Sequence, residues 1–199
     1  MGLVPLTSGK IEFHGAASSS KRIRPVQMVF HNAYASLNPR LTAYETLAEA
    51  VRMRSVVNPG KHACLDRVKA LLVSVGLDDN ALCKYPHEFS GGQCQRIALA
   101  RALASEPKLI VADEIVSALD VSVQAQILNL LKKLVSEFQL ALIFIGHDLS
   151  VMHYLTDRIA VMHHGSLVEI GDTEALFKHP QHVYTKKLLG AARKLEELS

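Results

Sequence analysis

The chain has 199 residues, enough for one domain with a real core, and 49% apolar with 21% charged residues excludes a disordered polymer. A net charge of +3 is too mild for a dedicated nucleic-acid binder, and the longest apolar runs, such as Leu140 to Ile145, are far too short to span a bilayer. Met1 to Leu6 lacks a basic start and a cleavage site, so no signal peptide is expected, and Leu6 stands where myristoylation wants Ser or Thr. Cys64, Cys83 and Cys94 are scattered without CxxC spacing and read as free thiols of a cytosolic protein, not as a disulfide frame or a zinc site.

In chain order, Lys10 to Phe13 and Val26 to Phe30 read as short strands around a polar loop, Ser18 to Arg22. Thr42 and Glu45 match a capping box, with Tyr44, Leu47, Ala48 and Val51 as the apolar stripe behind it. Asn58-Pro59-Gly60 breaks that helix. The next has Leu65, Val68, Leu72 and Val75 on one face and Gly76 as its C-cap. Another helix begins after Ser90, and Lys108 to Ala112 reads as a buried strand. Residues 121–138 predict a helix with Val123, Ile127, Leu130, Leu131, Leu134 and Phe138 on its apolar side. Leu140 to Ile145 reads as a further buried strand, Ile159 to Met162 and Ser166 to Ile170 as two more, and the tail from Asp172 as two helices interrupted near Pro180. Continuous apolar strands separated by helices predict an α/β fold with a parallel sheet.

Ser90 is placed to cap the helix that starts at Gly91, and the glycines at 91 and 92 let backbone approach a ligand where the first helical amides lack partners, a phosphate-binding arrangement. Taken alone this would be an ordinary capped helix. Gln93, Arg96 and the following Ala98 to Leu103 make the pattern specific. Asp113 and Glu114 end a strand, where open α/β sheets bind ligands. There one carboxylate can hold Mg²⁺ and the next can polarise a water. His147 follows another strand and could hydrogen-bond a terminal phosphate and a water, while Asp120 caps a helix, meets a dimer partner, or does both.

This ordered run resembles the ABC ATPase family. Phe89 to Gln93 is similar to its signature motif, Leu109 to Glu114 to Walker B with the catalytic glutamate, Ser117 to Asp120 to the D-loop, and His147 to the switch histidine. Tyr34 to Arg40 and the tail around Leu176-Phe177, Pro180 and His182 to Thr185 resemble the oligopeptide/dipeptide importer branch, which nickel and glutathione importers share. The resemblance implies a P-loop NTPase-like sheet with a helical subdomain. The implied divisions are 1–40 leading strands and Q-loop region, 41–88 helical subdomain, 89–171 signature, Walker B and switch half, and 172–199 tail. It further implies ATP and Mg²⁺ as cofactors, Glu114 and His147 as catalytic residues, and Asp113 as metal ligand. Ser90, Gly91, Gly92, Gln93, Asp120 and His31 would face nucleotide. The implied partners are membrane-spanning permease subunits and a second ATPase subunit in a homo- or heterodimer, with no nucleic acid, at the inner face of the cell membrane. In such pairs each ATP is clamped between one chain's P-loop and the other's signature.

The P-loop pattern, Gly, four residues, Gly-Lys, then Ser or Thr, does not occur. Ser8-Gly9-Lys10 is followed by Ile11, and position 4 is Val. Gly2 to Gly15 instead resembles the segment after the P-loop helix, so the expectation is a chain truncated before the P-loop, its sheet missing the P-loop strand, poorly soluble or only partly ordered by itself, and not a stand-alone ATPase. His31 stands where the family has the Q-loop glutamine, Ile115 replaces a usual proline, Cys94 an arginine and Val183 a proline. Four functions compete. The first is an importer ATPase subunit, truncated or mis-started. The others are a non-catalytic partner lending Ser90 to Gln93 in trans, an inactive remnant, and an ABC protein of DNA repair or translation, which the importer-like flank and mild charge disfavour.

Overall fold

The computed structural model describes residues 7–11, 25–54 and 60–196, with side chains through 192. They fall in two compact units, one ending at Ile145 and one beginning at Gly146. The expected strand Lys10 to Phe13 and the break at Asn58-Pro59 lie largely outside the described residues, and Lys10 and Ile11 are not in a strand.

The first unit holds a three-stranded parallel sheet in the order β1 (Val26–Phe30), β2 (Leu109–Asp113), β3 (Ala141–Ile145). The long connection from β1 to β2 is helical: α1 (Ala33–Ser36), α2 (Ala43–Arg54), α3 (Lys61–Ser74) and α4 (Gly91–Ala104). A single helix, α5 (Val121–Glu137), joins β2 to β3. Helix α2 starts as expected: the Thr42 amide donates to Glu45 Oε2 at 2.8 Å and the Glu45 amide to Thr42 Oγ1 at 3.2 Å. Helix α3 ends at Gly76, whose positive φ lets the Leu77 amide reach back to Leu72 O at 2.9 Å. Its buried face is Cys64, Val68, Leu71 and Leu72, with Leu65 only half-buried.

Helix α4 is the centre of this unit. Cys94, Gln95, Ile97 to Ala100 and Ala102 to Ala104 are all buried, so nearly its whole circumference is covered. It packs against α1, α2, α3, α5 and β1, and its alanines let those neighbours come close.

The sheet has one covered face and one that is only partly covered. In register, Val29 and Ala112 are buried, as is Ile110 one row back. On the other face Phe30, Asp113 and Ile145 form one row and Met28, Val111 and Ile143 the next. There Phe30 is 41%, Ile143 49% and Ile145 45% exposed. The expectation of a buried strand at Leu140 to Ile145 is therefore corrected: only Leu140 is buried, because among the described residues β3 pairs with β2 alone and its outward row is uncovered.

The second unit corrects another expectation. Strands β4 (Arg158–His163) and β5 (Ser166–Asp172) do not extend the parallel sheet but pair with each other antiparallel. The turn between them is two residues long, His164-Gly165, both at positive φ, the geometry that suits a tight hairpin. Ile159 and Val161 pack with Leu176 of α7 (Thr173–Lys178) and Leu189 of α8 (Val183–Glu196). Glu169 accepts from the Gln181 and His182 amides at 2.8 and 3.0 Å, and these bonds, the Gln181 one foremost, hold its carboxyl below the usual range. The two tail helices flank Pro180 as expected.

An apolar row on an edge strand is a template for self-association. Ile143→Lys is expected to raise the soluble fraction of the expressed chain and lower its binding of an apolar dye. An unchanged or smaller soluble fraction would contradict this reading of the β3 face.

Candidate functional site

Three parallel strands end level with one another: Phe30 pairs with Asp113, and Asp113 with Ile145. His31 and Glu114 follow directly, so the structure brings His31, Asp113 and Glu114 to one carboxyl edge of the sheet. Glu114 has φ +48°, costly for a side chain with a Cβ. Glu106 and Gln139 share that conformation just past helix ends and His164 in a tight turn. Glu114 has neither setting, and strain of this kind clusters at functional sites. Its amide donates to Ile145 O at 2.9 Å, so the sheet ladder runs one step past Asp113. Its carbonyl accepts from the Ser117 amide at 3.1 Å and the Ser117 hydroxyl at 2.9 Å, which hangs the next turn on it. Ile115 and Val116 beneath that turn are buried, so isoleucine fills its place well.

A second group forms at two helix starts. Ser90 Oγ accepts from the Gln93 amide at 3.3 Å and Gln93 Oε1 from the Ser90 amide at 3.0 Å, a capping box. Gly91 is exposed at this mouth, and Gly92 is buried. Asp120 caps α5: its Oδ1 accepts from the Val123 amide at 3.0 Å and the Ser122 hydroxyl at 2.7 Å. The Ser122 bond foremost, then Val123, holds its carboxyl below the usual carboxylate range. Cys94 is buried under the signature turn, its thiol 3.5 Å from Pro86 O and pushed up by burial.

His147 belongs to the second unit, two residues beyond β3 and one before Asp148, which caps α6 (Leu149–Leu155). The Ser150 hydroxyl, at 2.6 Å, is the main reason that the Asp148 carboxyl is held low, and His147 adds a smaller push in the same direction.

Sequence reasoning included Arg96 and the run around Arg101 in the pattern but missed what the two arginines hold. Arg101 Nη1 donates to Ser36 O at 2.7 Å, tying the end of α1 to α4. Burial pushes this guanidinium's pKa down, and nearby Glu49 opposes that. Arg96 donates to Val75 O at 2.7 Å and Gln126 Oε1 at 3.3 Å, linking α3, α4 and α5. It lies over Gly76, where a Cβ would stand 2.8 Å from its Nη1. The available signal was a cation inside an apolar helix, which needs a partner to be buried.

A family profile described as ABC transporter matches residues 1–117. The chain belongs to the ABC transporter family. Over 198 residues it is 48% identical to the oligopeptide transport ATP-binding protein OppF of Lactococcus lactis subsp. lactis, covering 96% of this chain and 61% of that protein. Over 200 residues it is 48% identical to OppF of Salmonella typhimurium, covering 96% and 59%. Over 168 residues it is 51% identical to the glutathione import ATP-binding protein GsiA of Escherichia coli, covering 84% and 27%. The chain thus spans about three fifths of the OppF proteins it matches.

ABC membership implies ATP binding, with Mg²⁺ typical. Within this ABC chain the residues do not make a complete cradle for either. The P-loop pattern is absent from the 199 residues, and among the described residues no three His, Cys, Asp or Glu side chains gather as a metal site. What fits is one half: a capped, open helix mouth at Ser90 and Gly91. No helix of the described residues is long and apolar enough to cross a membrane.

Arg101→Ala leaves the Ser36 carbonyl without its guanidinium and is expected to destabilise the chain by about 1–3 kcal/mol. Denaturant unfolding measures this, and a loss below about 0.5 kcal/mol would show that the link carries no weight.

Proposed function

We propose that this chain is the signature-bearing part of an ATP-binding subunit that drives an importer of oligopeptides or similar small solutes. The reading is supported by the identity to OppF proteins and by the importer-like segments Tyr34 to Arg40 and His182 to Thr185. Its partners are membrane-spanning permease subunits and a second ATPase subunit, at the inner face of the membrane.

One observation carries the assignment of its half-site: α4 is buried on nearly every side yet opens at Ser90 and Gly91. A helix start of this kind presents amides and a positive dipole end to an anion. Grip on the triphosphate comes from residues outside these 199, and Ser90 and Gly91 close over it in trans. When bound, ATP would supply the phosphoanhydride bond that is hydrolysed, and Mg²⁺ would neutralise charge on its phosphates. In a complete site Asp113 would hold the metal and Glu114 would orient a water; the role of His147, in the other unit, toward a terminal phosphate is carried by the family resemblance. His31 would stand in for the Q-loop glutamine, an imidazole in place of an amide. No stand-alone hydrolysis is assigned to the chain.

The test mixes this chain with an intact ATPase subunit of an oligopeptide importer and follows ATP hydrolysis. Ser90→Arg is expected to cut the chain's stimulation about tenfold or more, the factor that about 1.4 kcal/mol of lost phosphate contact produces. If the unmodified chain leaves hydrolysis unchanged, the remnant reading takes its place.

A further inference from the structure

Gly92 is the signature's second glycine, and the sequence suggests a glycine there lets the backbone approach a ligand. Its surroundings point elsewhere. It is buried, and a Cβ built on it would lie 2.5 Å from Val123 Cγ1, closer than real Cβ atoms come. A Cβ on Gly91 would meet Leu119 Cδ2 at 3.3 Å. Val123 does not swing aside easily. A β-branched side chain in a helix has one strongly preferred rotamer, and the Val123 amide is pinned to Asp120 Oδ1 at 3.0 Å.

We propose that Val123, with Leu119 beside Gly91, is a positioning residue for the signature turn, and that the packing of Val123 requires a residue without a Cβ at 92. The proposal's functional meaning rests on the reading of Ser90 and Gly91 as the nucleotide-facing mouth. Two capped helix starts, Ser90 on α4 and Asp120 on α5, are interlocked through Gly92 and Val123. The turn before Asp120 hangs by Ser117 from the Glu114 carbonyl. A path of contacts therefore runs inside one chain from the carboxylate end of β2 to the signature.

A double-mutant cycle in the full 199-residue chain tests this, with the urea midpoint read by pulse proteolysis in lysate so that purification is not needed. On helix propensity alone Gly92→Ala would stabilise. Packing predicts the opposite: Gly92→Ala lowers the midpoint, and in a Val123→Ala background the same change lowers it far less. No fall, or equal falls in both backgrounds, would overturn the proposal. In the assay with an intact ATPase subunit, Gly92→Ala/Val123→Ala is expected to recover most of the stimulation that Gly92→Ala loses. A double variant with restored stability and no restored stimulation would return Gly92 to the ligand and also overturn it. Unchanged hydrolysis with Ser90→Arg would instead defeat the trans reading, while the urea cycle still decides the packing.

Discussion

Burial of α4 is the constraint on which the first unit depends. A helix covered on nearly every side must fill its surroundings with small and apolar side chains, and the alanines from Ala98 to Ala104 do so. Its two cations then need fixed partners, and each arginine becomes a tie to a neighbouring helix. With the flanks closed, the helix meets solvent at its start. Ser90 and Gly91 are held there by packing that extends along the whole helix, so the capping box is aimed by the core and not by a flexible loop.

The same economy of space governs the carboxylate edge. Level strand ends put His31, Asp113 and Glu114 along one rim. Glu114 takes a left-handed backbone there, keeping its amide in the ladder while its carbonyl supports the turn toward Asp120. The partly covered apolar row on the opposite face of the sheet from Val29 and Ala112 says that this sheet is built to be covered further, since parallel sheets are ordinarily buried on both faces.

Much of this was legible in the sequence. Thr42-Glu45 and Ser90-Gln93 are local rules, satisfied by atoms three residues apart, so no tertiary knowledge was needed. The apolar stripe of α5 followed from its period, and Ile127, Leu130, Leu131 and Leu134 are buried as it implied. Leu140 to Ile145 misled because an apolar run reports what a strand could bury, not whether a neighbour exists. His164-Gly165 was an unread hairpin signal: two residues able to take positive φ between apolar runs. The reason for Gly92 was illegible for a different cause. A glycine tolerates both a nearby ligand and a nearby side chain, and only the position of Val123 distinguishes them.

The central claim is that the chain offers half of a nucleotide site. Equilibrium dialysis with ATP measures this directly, on the chain alone and on the chain paired with an intact ATPase subunit. The account predicts no stoichiometric nucleotide on the chain alone and tighter retention by the pair than by the intact subunit alone. One ATP held by each copy of the isolated chain would contradict it.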